Sequence, residues 1–364
     1  MRYFGASDDL LEQHGIRKIT HFDTARIALS PLARLEAVRK SSQKFRDYML
    51  WLDEQVTFYK SIDLVRVPYP TRYGLLNVET AKSPYLHILN RLFIVQFISK
   101  EGLKTLLFSP SDVDANAQTP FFKNLRSSLG QFEKPLMKIL SPRLNEVESA
   151  LERVGLKPQD IDYISYDHLH TQDLRKWLGT HNKPGYFPNA KLLVMTQEWV
   201  STCQLLPPQQ AWYCPNGLDG IDPQKIILLD SSVMLADSVA LVKTPGHTEG
   251  NHSLVVHTPD GLFVTSENGI SAECYAPKYS EIKGVRDYAQ CQGMDVVLNG
   301  NTLEGALDQY LSMIMEKIIA GPSKRNPYFP NVATSSEFTA FWCFPGLKPT
   351  FTVGELTYGS VFCP

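Results

Sequence analysis

The chain is short of thiols where a disulfide framework would need them. Its six cysteines (Cys203, Cys214, Cys274, Cys291, Cys343 and Cys363) all fall in the second half, and no two form a Cys-x-x-C pair. That usage fits a reduced, intracellular protein better than a secreted scaffold, so the cytoplasm is the expected location. Charge excess is missing as well: Lys+Arg 36 against Asp+Glu 38 leaves a net charge of -2. Such a balance gives no electrostatic case for nucleic acid or an anionic membrane as partner. No run approaches the about eighteen apolar residues of a spanning helix. The start, Met1-Arg2-Tyr3-Phe4-Gly5, lacks a basic-then-apolar signal pattern. A small-molecule substrate is the expected partner, and composition is silent on oligomeric state.

What is present is an ordinary globular composition, 43% hydrophobic and 20% charged over 364 residues. Residues 1–20 are polar and read as a frayed end. Behind Ser30-Pro31, the positions Leu32, Leu35, Val38, Phe45, Tyr48, Met49 and Leu52 recur at helical steps and predict a helix over 30–59. Short apolar runs predict strands at 64–67, 73–78, 92–98 and 105–108. Residues 113–140 read as loop with some helix, and 145–154 as a helix stopped by Gly155. Further strands are expected at 161–164, 192–195, 226–229, 239–242, 253–257, 262–265 and 295–298, followed by a helix over 303–319. The tail from Gly321 is rich in proline and aromatics and reads as a wrapping segment with a strand or two.

The chemistry concentrates just past the run Ile161-Asp162-Tyr163-Ile164, which ends in His168, His170 and Asp173. On an extended segment side chains repeat every two residues, so His168 and His170 point the same way and can reach one cation. Such a pair also occurs as ordinary surface or loop histidines. A second stretch raises its weight: an apolar strand runs into Thr244-Pro245-Gly246-His247-Thr248-Glu249-Gly250, and the Pro-Gly turn presents His247. Neutral imidazole is the commonest protein ligand for zinc-like ions.

Together, His168-Leu169-His170-Thr171-Gln172-Asp173 and Thr244-Pro245-Gly246-His247-Thr248-Glu249-Gly250 resemble the two signature stretches of the metallo-β-lactamase-fold superfamily. Those stretches are Thr-His-x-His-x-Asp-His and Thr-Pro-Gly-His-Thr-x-Gly. The resemblance spans about residues 60–320. It implies an α+β chain folded as a four-layer αββα sandwich, with the metal at one edge between two sheets. It also implies an organisation of N-terminal helical extension (1–60), metallo-β-lactamase-like domain (61–320) and C-terminal wrapping tail (321–364). His168, His170 and His247 match the ligands of the family's first metal. Glu267 stands where the family has a ligating, often bridging, Asp. Gln172 and Asp173 replace an Asp and a His of the second metal site, and Asn301 replaces its other His. Gln and Asn are weak ligands for such an ion. The expectation is one tightly held metal, zinc or else iron, with a divergent second site.

Three histidines on a tetrahedral ion leave a position for water, whose pKa falls towards ~7. Asp173 or Glu267 then serves to orient that water and move protons, as ligand, catalytic group or both. The resemblance therefore implies a metallo-hydrolase using metal-bound water on a carboxylic ester, lactone or thioester. A second reading is a mononuclear non-haem iron oxygenase of the same fold, with His168, His247 and Glu267 as the two-His-one-carboxylate set. A third is a non-catalytic member with a degenerate site. Aromatics of the N-terminal helix and the tail are candidates for an apolar substrate wall.

Overall fold

The run Val239-Ala240-Leu241-Val242 shows how the layers are made. Val239 and Leu241 enter one buried cluster, while Ala240 and Val242 enter another on the opposite face. The same alternation divides Leu192 and Val194 from Leu193 and Met195, and Leu107 from Leu106 and Phe108. Strands buried on both faces need cover on both, which means a second sheet on one side and helices on the other.

The computed structural model describes residues 5–78, 83–300, 305–344 and 346–363. Besides a short two-stranded ladder of Gly179–Thr180 with Lys183–Pro184, the strands of its two large sheets are β1 (Arg17–Lys18), β2 (Phe58–Pro70), β3 (Tyr85–Ser99), β4 (Gly102–Phe108), β5 (Tyr163–Ser165), β6 (Lys191–Met195) and β7 (Ile226–Leu229), then β8 (Val233–Ala236), β9 (Val239–Lys243), β10 (His252–Thr258), β11 (Gly261–Thr265), β12 (Ser336–Thr339) and β13 (Thr357–Gly359). The helices used below are α1 (Pro31–Leu52), α2 (Pro120–Ser127), α3 (Glu133–Leu140), α4 (Val147–Val154), α5 (Thr196–Cys203) and α6 (Ala306–Ala320).

Among the described residues, one five-stranded antiparallel sheet runs β1-β8-β9-β10-β11. The other is eight-stranded, in the order β13-β2-β3-β4-β5-β6-β7 with β12 also on β3. Its β4, β5, β6 and β7 are mutually parallel, and its remaining pairs are antiparallel. Between the sheets lies a cluster that includes Tyr59, Phe93, Phe108, Leu193, Leu241, Leu254 and Phe263. Outside the smaller sheet, α1 and α6 bury Val38, Phe45, Met49, Met313 and Ile314 against Val242, Val255 and Val264. Outside the larger, Val147 and Leu151 of α4 join Trp177, Phe187 and Trp199 on Leu92, Ile94 and Leu192. This is the αββα sandwich expected from the sequence.

The N-terminal residues are woven into it. Arg17 and Lys18 pair with Met234 and Val233, and Leu11, Ile16 and Ile19 are buried, so the polar start is not frayed there. Ser30 caps α1 through Ala33 N at 3.4 Å, with Pro31 in the first turn, as read. The helix stops at Leu52 rather than 59, because Asp53 turns left-handed (φ 54°) and Phe58 to Lys60 pair with Gln96 to Ile94. Ladder pairing outweighs helix propensity there. Arg46 of α1 donates to Ile319 O (2.6 Å) and Ala320 O (2.7 Å), satisfying carbonyls at the end of α6.

Two expected strands differ. Residues 73–78 are a helical turn (Thr71–Gly74) and a loop, while the preceding strand continues through Pro68 and Pro70. It tolerates both prolines because the same side of this strand faces a loop: Arg66 N donates to Pro142 O, and residues 68 and 70 share that outward side. Residues 295–298 form no ladder. Val297 N bonds Cys274 O and Asn299 N bonds Asn268 O, so this buried apolar run is held by loops. The helix predicted over 303–319 runs Ala306–Ala320, and positions 303 and 304 lie outside the described residues.

The tail returns as β12 and β13 on the larger sheet. Buried Arg91 of β3 fastens it: Nε is 2.6 Å from Asp63 Oδ1 and Nη1 is 2.5 Å from Glu337 Oε2 of β12. Removing Glu337 leaves the buried Arg91 with Asp63 as its one remaining partner here and frees the tail from the clasp. Glu337→Ala is therefore expected to lower unfolding stability by about 3 kcal/mol or more, measured by urea titration. Loss within ~0.5 kcal/mol, the usual range of a surface substitution, would show that the clasp carries no weight.

Candidate metal centre

β5 lies between two parallel neighbours, so the chain leaves it at a fixed place. Past Ser165 the backbone is held again, because His252 N of β10 donates to Asp167 O at 2.9 Å. Leu169 turns into the core, leaving His168 and His170 on the other side. Thr171 then adopts a left-handed conformation (φ 64°), with its N–H on Trp212 O at 2.8 Å, and the chain bends away.

His247 arrives from the other sheet, on the loop joining β9 to β10. Gly246 sits at φ 152°, where a Cβ would collide with the Gln309 backbone, so only glycine fits. Asn268 Oδ1 accepts His247 N at 3.0 Å, and Ser312 Oγ donates to Pro245 O at 2.6 Å. Asn268 is itself pinned by Glu316 Oε1 (2.7 Å) and Thr244 O (3.1 Å). The loop thus stands on a buried polar network.

The three histidines meet. Ring centroids lie 4.7 Å apart for His168 and His170, 4.5 Å for His168 and His247, and 5.0 Å for His170 and His247. The rings are close to perpendicular, and one nitrogen from each lies within 4.8 Å of the others. All three are buried. Burial, together with the neighbouring rings, holds His170 well below the usual histidine range. Burial and His168 push His247 down to about 3. Both are therefore neutral donors. Burial also opposes charge on His168, but the Asp167 carboxylate outweighs it and lifts that ring to about 9. Asp167 Oδ1 lies 3.2 Å from His168 Nδ1, and its Oδ2 accepts from Ser335 Oγ at 2.7 Å.

Both ring nitrogens of His170 are buried without a hydrogen-bond partner. Orphaned polar atoms in a dry interior are costly. Two neutral imidazoles, and a third backed by a carboxylate, are a donor set that suits a borderline-soft divalent cation. The residues present fit such an ion.

The other expected positions divide. Glu267, just past β11, lies within 4.8 Å of Asp167 and His168, donor atom to donor atom, and half-buried at the cavity wall. Burial first, then Asp167, push it up to about 7. Asp173 does not join the cluster. Its carboxylate is taken by Arg175, from Nε at 2.9 Å, Nη2 at 2.5 Å and the backbone N at 3.0 Å. The bend at Thr171 turns residue 173 away, and Gln172 lines the cavity instead. Asn301 lies outside the described residues. Cys274 is buried beside Ser271 and belongs to neither donor group.

His168 and His170 line a cavity of about 330 Å³. Its wall is largely apolar, with Val65, Val67 and Ile88 of the larger sheet facing Phe122, Leu125 and Leu129. Met137 and Leu140 of α3 extend that wall, and Phe344 is the tail's aromatic share. The wall is thus shared between the larger sheet and residues 113–140, with no residue of the N-terminal helix among its lining. Phe122, Leu125 and Leu129 recur at three- and four-residue steps, the signal that would have found it. Ser335 was also missed, because its place beside Asp167 depends on the tail's return.

No family model matches the chain. Among solved structures it is similar to AidC, a dizinc quorum-quenching lactonase in complex with a product: 14% identity over 85% of this chain and 96% of that one, TM-score 0.50. It is similar also to the hydrolase AbOPH of the beta-lactamase superfamily (14% identity, 85% and 99% covered, TM-score 0.47). A quorum-quenching N-acyl homoserine lactone lactonase matches at 16% identity over 68% and 92%, with TM-score 0.44. The fold of this chain is the metallo-β-lactamase fold.

Because Asp173 serves Arg175 and not the histidines, Asp173→Asn is expected to leave the metal content of the purified chain unchanged by elemental analysis. Its cost should be confined to stability, about 1–3 kcal/mol for bonds to a charged group. Loss of metal from that variant would contradict the assignment.

Proposed function

We propose that this chain, built on the metallo-β-lactamase fold, is a metal-dependent hydrolase of carboxylic esters, lactones or thioesters that carry an apolar group. The observation that supports it best is the convergence of three buried imidazoles, two of which, His168 and His170, line a largely apolar cavity. His168, His170 and His247 would hold one zinc-like ion. Bound there, such an ion supplies Lewis acidity towards a carbonyl oxygen and lowers the pKa of a water towards ~7.

The chain's own residues do the rest. Asp167 Oδ1 accepts the His168 backbone N–H at 3.2 Å and lies as close to its Nδ1, so it holds this residue in place and sets fixed negative charge beside the ring. Ser335 fixes Asp167 in turn. Glu267 faces the cavity with a carboxyl that titrates near neutrality, which suits a group that takes a proton from water and returns it to a leaving oxygen or sulfur. Asp173 has no part in this. The apolar wall orients the substrate and keeps bulk water away from its apolar group.

The oxygenase alternative needs His168, His247 and Glu267 as one donor set. The donor atoms that come together are instead those of His168, His170 and His247, which favours hydrolysis. Among the described residues no helix is long and apolar enough to cross a membrane.

Two experiments test the reading. Elemental analysis should find about one zinc-class ion per parent chain and little in His247→Ala, with the three-histidine site as the basis of the expectation. A parent chain without metal under metal-replete conditions contradicts it. On a series of aliphatic esters, kcat/KM should rise with acyl length by up to about fourfold per methylene, the equivalent of ~0.8 kcal/mol of buried CH₂. Leu129→Asp should flatten that rise. A rate independent of chain length would remove the cavity from the account.

A further inference from the structure

Glu198 is the third residue of α5 and is completely buried. Its carboxylate reaches two loops. Oε1 accepts from the backbone N–H of Leu169 at 2.7 Å, and Leu169 is the residue between His168 and His170. Oε2 accepts from Thr248 Oγ1 at 2.6 Å, and Thr248 directly follows His247. One side chain therefore grips the loop from the larger sheet and the loop from the smaller one.

The surroundings tighten that grip. Glu249 Oε2 accepts from Ser201 Oγ at 2.7 Å and from Gln197 Nε2 at 3.1 Å, so the His247 loop is strapped to α5 on its outer side too. Gly250 comes so close to the Glu198 backbone that an added Cβ would collide with it. The loop and the first turn of α5 have no room for a side chain between them. Losing the Glu198 carboxylate would leave the Leu169 N–H and the Thr248 hydroxyl without their acceptor in a dry interior.

We propose that Glu198 is a positioning residue that sets the separation of His168 and His170 from His247 by holding Leu169 and Thr248 at once. It is fully buried and is not among the residues that line the cavity. The inference rests on reading the three histidines as metal ligands. It adds a requirement that their own geometry does not state: the binding site is assembled across the two sheets by one carboxylate.

Substitutions separate shape from charge. Glu198→Gln keeps an acceptor for Leu169 and offers an amide donor to the Thr248 oxygen, so both contacts survive. Glu198→Ala loses both, and Thr248→Val loses one. Zinc affinity is read by competition with a chelating indicator, and the coordination geometry by the visible spectrum of the cobalt-substituted chain. Far-UV circular dichroism and the melting temperature of the metal-free chain report folding. Glu198→Ala should bind zinc about ten- to a hundredfold more weakly, the usual cost of losing a group that orients ligands, with an altered cobalt spectrum. Thr248→Val should fall between it and the parent, and Glu198→Gln should stay close to the parent. Parental zinc affinity and cobalt spectrum in both Glu198→Ala and Thr248→Val overturn the proposal, even if melting temperature falls, since that pattern marks a purely structural residue. If Glu198→Ala does not fold, Thr248→Val decides alone: weakened zinc binding supports the role, and parental binding overturns it. A parent chain that binds no zinc overturns the metal reading itself, a result distinct from either.

Discussion

Convergence of histidines from two separate sheets is the constraint on which the rest of the structure depends. His168 and His170 leave a parallel strand in the middle of the larger sheet, and His247 leaves the smaller one. Their nitrogens meet within 4.8 Å only if the sheets keep their spacing and both loops keep their shape. The inter-sheet cluster sets the spacing, with Phe93, Phe108, Leu193, Leu241 and Leu254 interdigitated across it. The loops are shaped by backbone bonds, by Gly246 at a position no side chain can occupy, and by the buried acids Glu198 and Glu316. Core packing thus serves the site directly: a shift in sheet spacing is a shift in ligand separation.

Electrostatics in the site follow from burial more than from net charge. Three imidazoles in a dry pocket cannot all be cationic, and two are held neutral. The third is drawn the other way by Asp167. Asp167 and Glu267 place carboxyl groups beside the cluster, and both line the same largely apolar cavity as His168 and His170. A cation at the histidines would therefore lie near the Asp167 carboxylate at a largely apolar cavity, where its field on a bound carbonyl is weakly screened.

The parts legible in the sequence were those carried by local rules. His168 and His170 share a side because extended chains repeat every two residues, and His247 stands out because Pro-Gly forces a corner. The layered fold was legible through the resemblance that the two histidine stretches carry, while the apolar runs marked most of its strands. Asp173 was misplaced because the bend at Thr171 is made by a non-glycine residue in a left-handed conformation, which the local sequence does not announce. Residues 295–298 looked like a strand because they are apolar and buried, yet burial needs no ladder when loops supply the bonds. The place of Ser335 beside Asp167 and the reach of Glu198 to two loops depend on contacts far apart in the chain, 168 positions in the first case. Single-residue patterns carry no record of such distances.

The central claim is that these imidazoles share one ion, and X-ray absorption at the metal edge tests it most directly. The spectrum of the metal-replete chain should show a nitrogen and oxygen first shell with the outer-shell scattering of three imidazole rings. That scattering should fall to two rings in His170→Ala. A shell without imidazole scattering, or one dominated by sulfur, would contradict the account.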